Sequence, residues 1–161
     1  MFDWLREAWK MRGFVRVKIM KPVDVTEFLN LSQINLLVKV PLGLPSLNWV
    51  SQNIRFVSDA TKDVWNNADE TLNVGCGDCE DGAILLACLI LARNKLIPYY
   101  QILVNVYDTP QGFHAAVTVY GELRDWTWPT LKTVPTDWKL KYCFNRKHSY
   151  ASKEYAWICK N

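Results

Sequence analysis

From Gly82 to Ala92 the chain runs eleven residues without a charge, GAILLACLILA. Apolar side chains there fall on every side of a helical wheel, the pattern of a helix buried all round. The stretch predicts a central helix from Cys79 to about Asn94, with Arg93 and Lys95 at the end that favours cations. It is too short to cross a bilayer, which needs roughly 20 residues. Asp78 is a good N-cap, and Asp81 three positions on comes close to a capping box.

Upstream, Phe2, Leu5 and Trp9, with Trp4, Ala8 and Met11 beside them, have helical spacing, so residues 2–12 read as a short amphipathic helix closed by Gly13. Val15, Val17 and Ile19 alternate with Arg16 and Lys18, as in a half-exposed strand. Asp24 to Asn35 reads as helical, and Pro41, Gly43 and Pro45 mark a loop. Ser46 is the expected N-cap of a helix to about Val57, with Leu47, Val50, Ile54 and Val57 on one face. Ser58 to Val74 is polar and turn-rich. Downstream, Ile97-Pro98 ends the helical pattern. Tyr99 to Tyr107 is a buried strand, the turn residues from Asp108 to Gly112 make a hairpin, Phe113 to Val119 returns, and Leu123 to Trp128 is another strand. Beyond Pro129 the tail is mixed and basic, with Trp138, Tyr142, Phe144 and Trp157 available for packing.

Composition narrows the class. At 161 residues the size prior is one domain, with 1–45 and 131–161 as extensions of a core over 46–130. Half the residues are hydrophobic and eight are Trp, which excludes a disordered chain. The net charge of +3, with no basic stripe interleaved with aromatics, gives no nucleic-acid signal. The five basic residues from Lys10 to Lys21 read as a solvated face on an edge element rather than as an anion-binding surface. Met1 to Met20 carries charges throughout and has no signal-peptide core, so the expected compartment is a cytoplasm, the host's if the protein is viral. Five cysteines at irregular spacing suit a reducing compartment.

The candidate chemistry starts at Cys79. Backbone N–H groups and the dipole at a helix start lower a thiol pKa, whereas the flanking Asp78, Glu80 and Asp81 oppose the anion. An imidazolium is needed to tip the balance, and only His114 and His148 are present. Strand alternation puts His114, Ala116 and Thr118 on one face. If Tyr120-Gly121 is the turn, Val119 pairs with Glu122 and Asp125 lies diagonally across from His114, within reach. If Gly121-Glu122 is the turn, Asp125 moves opposite Thr118 and out of reach. The trio would divide its work as nucleophile, general base and acid, and orienting carboxylate, with helix-start N–H groups in an oxyanion hole.

The segments GDCEDGAILLACLI, FHAAVTVYG and RDWTWP, in that order, resemble the Cys, His and Asp motifs of the transglutaminase-like cysteine peptidase superfamily. The lead-in from Phe56-Val-Ser-Asp59 through Val64-Trp65 to Leu72 also resembles its short bacterial, archaeal and viral members. The resemblance implies an α+β fold: a papain-like core with the Cys helix packed on a small antiparallel sheet. It further implies acyl transfer or amide hydrolysis on a peptide or protein substrate, through Cys79, His114 and Asp125, without metal or cofactor. Asp78 and Asp81 fall on the motif as capping residues. The interval from His114 to Asp125 is short for the family and requires a tight turn. The side-chain oxyanion donor has three candidates upstream of the cysteine: Trp65, Trp49 and Gln52.

Two other classes remain. A degenerate member would keep the fold and bind a peptide without turning it over, as a viral structural or accessory protein. Cys76-x-x-Cys79 is also the spacing of a redox dithiol or, with Cys143 and His148, of a zinc site, although the second pair lies far away in sequence.

Overall fold

A computed structural model describes residues 13–21, 23–30, 40, 41, 43 and 45–156. The expected helix over residues 2–12 and the contribution of Trp157 lie outside them. The central element is helix α3, Cys79–Arg93, whose residues from Glu80 to Leu89 are all buried. Burying each Leu or Ile of that run contributes about 1.5–3 kcal/mol. The helix ends at Asn94, and its Arg93 guanidinium donates to Pro41 O and to Ser46 Oγ.

The helix packs on a six-stranded antiparallel sheet ordered β1-β8-β7-β4-β5-β6. Its strands are β1 Phe14–Val17, β4 Ile102–Thr109, β5 Gly112–Val119, β6 Glu122–Arg124, β7 Lys139–Phe144 and β8 Ser149–Ser152. Strand alternation divides the packing between two faces. Val104, Val106, Ala115 and Val117 join the core under α3. Tyr107, Ala116 and Leu123 form a smaller cluster with Leu131, Trp138 and Leu140.

Several elements depart from the sequence expectation. The helix over 24–35 is realised as a 3-10 turn, Val25–Leu29, capped by Asp24, with residues 31–39 outside the described set. Helix α1 is Ser46–Asn53; Pro45 holds the cap position, and the Ser46 hydroxyl accepts from Arg93 instead. It stops short of Val57 because β2, Arg55–Phe56, pairs in parallel with β3, Cys76–Gly77. The turn-rich stretch contains helix α2, Ala68–Val74, held by a capping box between Asn67 and Glu70. Gly75 ends α2 at φ 73°, a conformation that costs glycine little. β6 is three residues rather than six, because the Asp125 carboxylate turns the chain by accepting from Thr127 N and Trp128 N. The tail supplies β7 and β8, which the sequence pattern does not assign.

Candidate active site

The Tyr120-Gly121 turn sets the site. Both residues have positive φ, 52° and 83°, as a tight primed hairpin turn requires. Val119 therefore pairs with Glu122 and Val117 with Arg124. Asp125 follows directly, and its Oδ2 lies 2.6 Å from His114 Nε2. Both side chains are buried, His114 at 8% and Asp125 at 0% exposure. Burial alone would raise the Asp125 carboxyl, but the hydrogen bond and charge of His114, with the bonds from Thr127, hold it below the ordinary carboxylate range. Trp128 and Trp138 pack against the His114 ring at centroid distances of 4.9 and 5.0 Å.

Cys79 is the first residue of α3, and it lines the same cleft as His114, a cavity of about 670 Å³. Trp126, next to Asp125, donates its indole N–H to Cys79 O at 3.0 Å, so the start of the helix is tied to the aspartate segment. A Cβ on Gly82 would lie 2.1 Å from the Trp126 ring, so this approach requires glycine.

The thiol is surrounded by carboxylates. Cys79 Sγ lies 3.2 Å from Glu80 Oε2, in position to donate. Burial, then the Glu80 charge, push the Cys79 pKa far up, while the Ala115 backbone N–H pulls the other way. Glu80 itself is pushed up to about 9, by burial and then by Asp78, so the pair carries a proton at neutral pH. Burial, with the charges of Asp81 and Asp59, also raises Asp78. Among the described residues, Asp78 Oδ1 and Glu80 Oε1 are buried and have no hydrogen-bond partner other than the proton that the pair itself carries.

Asp78 makes no side-chain cap bond. The Asp81 carboxylate accepts from Asn66 N and Nδ2, both at 2.8 Å, which fastens the cleft-side loop to α3. The potential ligand atoms of Asp59, Asp63 and Glu80 lie within 4.8 Å of one another, as do those of Asp78, Glu80 and Asp81. Asp59 and Asp63 are not singled out by sequence reasoning; the clue is their place in the lead-in to the Cys motif.

Of the oxyanion candidates, Trp65 lines the cleft, but its indole N–H is engaged by Asp63 Oδ1 at 2.9 Å. Trp49 and Gln52 sit on α1, the first in the core and the second exposed, and neither lines the cleft. The zinc alternative is not assembled: no such cluster among the described residues contains Cys76, Cys79, Cys143 or His148. Cys76 lies on β3 of the two-stranded sheet, whereas Cys143 is buried on β7 between Asn105 and Tyr150.

Residues 43–133 match the family described as transglutaminase-like domain, over more than half of the chain. The chain belongs to the transglutaminase-like domain family. Structures of Legionella pneumophila LapG are similar to it. An EGTA-treated form aligns at TM-score 0.59 and 21% identity, covering 67% of this chain and 64% of that one. Another LapG structure aligns at TM-score 0.58 and 21% identity, and a calcium-bound form at 0.57 and 20%, each covering 80% of this chain and 75% of the other. At such identity the likeness speaks for a shared transglutaminase-like fold. No curated protein matches the sequence. Among the described residues, no helix is long and apolar enough to cross a membrane.

Proposed function

We propose that this transglutaminase-like protein performs cysteine-dependent acyl transfer or amide hydrolysis on a peptide or protein substrate. The observation that carries the reading is the buried His114–Asp125 pair opening into the cleft of Cys79. With Nε2 engaged by Asp125, His114 Nδ1 is the ring nitrogen left to take the thiol proton. Cys79 Sγ would then attack the carbonyl, and the proton would return to the leaving amine, leaving an acyl-thioenzyme. Water or an amine would release it.

The test is iodoacetamide alkylation against pH, resolved by cysteine, on wild type, His114→Ala and Cys79→Ala. With its own pKa pushed up by burial and Glu80, Cys79 is expected to react through transfer of its proton to His114, and so faster than the buried thiol alone would. His114→Ala should slow it by about 10²-fold or more. A Cys79 rate indifferent to His114 would leave the degenerate, peptide-binding member as the reading to pursue.

A second reading concerns calcium, and it is favoured by the close grouping of carboxylate oxygens in the cleft. Two such groups share Glu80, one with Asp59 and Asp63 and one with Asp78 and Asp81, and they fit a hard cation such as Ca²⁺, the ion present in one of the similar LapG structures. A bound cation would offset the negative charge that holds the Cys79 thiol up. Added CaCl₂ is expected to raise the Tm and the Cys79 alkylation rate, EGTA should reverse both, and Asp59→Asn with Asp63→Asn should abolish the response. Identical melting curves in CaCl₂ and EGTA would remove this reading and leave the triad untouched.

A further inference from the structure

The cleft carries two exposed phenyl rings from residues close along the backbone to the proposed reacting groups. Phe113 directly precedes His114 and is 64% exposed. Phe56 is 53% exposed and pairs with Gly77, two residues before Cys79. Both rings line the cavity that Cys79 and His114 share. The other large exposed apolar residues, such as Leu96 and Val74, lie outside this cavity and need no explanation.

Each ring is supported from behind. Phe113 meets Tyr155 edge-on at 6.5 Å, Tyr155 stacks on Tyr142 at 5.2 Å, and Tyr142 stacks on Trp65 at 6.4 Å. This aromatic row runs from a core anchored by Trp65 and Tyr142, at 5% and 3% exposure, outward to Phe113. Phe56 rests against Trp126 at 6.0 Å, the residue that ties the Cys79 carbonyl. Both backbones are held as well, Phe113 by pairing with Asp108 in the hairpin and Phe56 by the bond from Val57 N to Gly77 O. Leaving two such rings in water forfeits apolar burial that a ligand side chain would recover.

We infer that Phe56 and Phe113 form an apolar subsite selecting substrates with a bulky hydrophobic or aromatic side chain next to the reacting carbonyl. The inference rests on the acyl-transfer reading of Cys79 and deepens it by naming the substrate class. Carboxylates elsewhere in the cleft, Asp59, Asp63, Asp78 and Glu80, oppose an acidic side chain in the same place.

The test uses two chloroacetamides of similar intrinsic reactivity, N-methyl and N-phenethyl, on the full chain. Cysteine-resolved mass spectrometry reads the Cys79 rate with each. The N-phenethyl probe is expected to react about tenfold faster in wild type. That ratio should fall towards one in Phe113→Ala and in Phe56→Ala, and should persist in Leu96→Ala. If either phenylalanine variant fails to fold, N-acetylphenylalanine methylamide is added to wild type as a competitor of the N-methyl probe. Slowed alkylation of Cys79 supports the subsite, and an unchanged rate overturns it. A wild-type ratio near one, or a ratio surviving both phenylalanine substitutions, also overturns the subsite while leaving the nucleophile intact. If neither probe labels Cys79 faster than Cys76, the nucleophile reading and the inference fall together.

Discussion

Gly82→Ala should destabilise the protein and slow Cys79 alkylation, although Gly-to-Ala inside a helix ordinarily gains up to about 1 kcal/mol. The new methyl would lie 2.1 Å from Trp126 Cε2 and 2.4 Å from Nε1, closer than any packed contact. Neither neighbour yields easily. Gly82 lies within the first turn of the buried α3, and the Trp126 indole is 3% exposed. Moving the indole breaks its bond to Cys79 O and drags the adjoining Asp125 away from His114. Overpacking of this kind costs about 1–3 kcal/mol. Urea denaturation should show the loss in midpoint, and the Cys79 alkylation rate should drop in the folded variant. A midpoint equal to or above wild type would mean that the Gly82–Trp126 approach is not what positions the helix start.

Glu80→Gln should act in the opposite direction on the thiol. Glu80 is the residue whose Oε2 faces Sγ and whose charge, after burial, does most to hold the Cys79 pKa up. The amide keeps the volume, can donate to Asp78 and removes the charge. In EGTA-containing buffer at alkaline pH, above about 9 where Glu80 is ionised, Cys79 alkylation should rise by about tenfold or more. The substitution also has a stability signature. With its folded-state pKa raised to about 9, Glu80 binds more protons in the native state than in the unfolded one. Its contribution is full below the unfolded value of about 4.3 and is lost as pH rises towards 9. Asp125, whose pKa is depressed, works the other way: its contribution is present above the unfolded value of about 3.9 and is lost on acidification. Wild-type Tm should therefore decline from mildly acidic to alkaline pH, and Glu80→Gln should flatten that decline while keeping the acid limb. Parallel Tm profiles for the two proteins would show that Glu80 is not the group that titrates.

Much of this architecture is legible in the amino-acid order alone. An uncharged apolar run is long enough for only one outcome, a buried helix, and its start at Cys79 follows from the glycines and acids before it. The return strand and hairpin follow from turn residues and alternation, because those are local preferences of the backbone. Helix α2 has a local signature too, in the Asn67-x-x-Glu70 spacing with Gly75 behind it, but a polar surface makes it look like loop. β7 and β8 have none, because short strands among basic residues gain their identity only by pairing with β4 and β1.

The contrast is sharpest at the site. The identities and chain order of Cys79, His114 and Asp125 are properties of the sequence, and so is the family to which they point. Two turns could join β5 to β6, and the positive φ of Tyr120 and Gly121 decides between them, bringing Asp125 onto His114. Asp81, expected from the sequence as a capping residue, also makes a long-range bond that sequence does not show: it holds Asn66, fifteen residues away. The gathering of Asp59, Asp63, Asp78 and Glu80 in the cleft that the half-buried Cys79 also lines is likewise a product of folding. Local rules describe what one segment prefers, whereas charge, burial and register at this cleft depend on which distant segments share it.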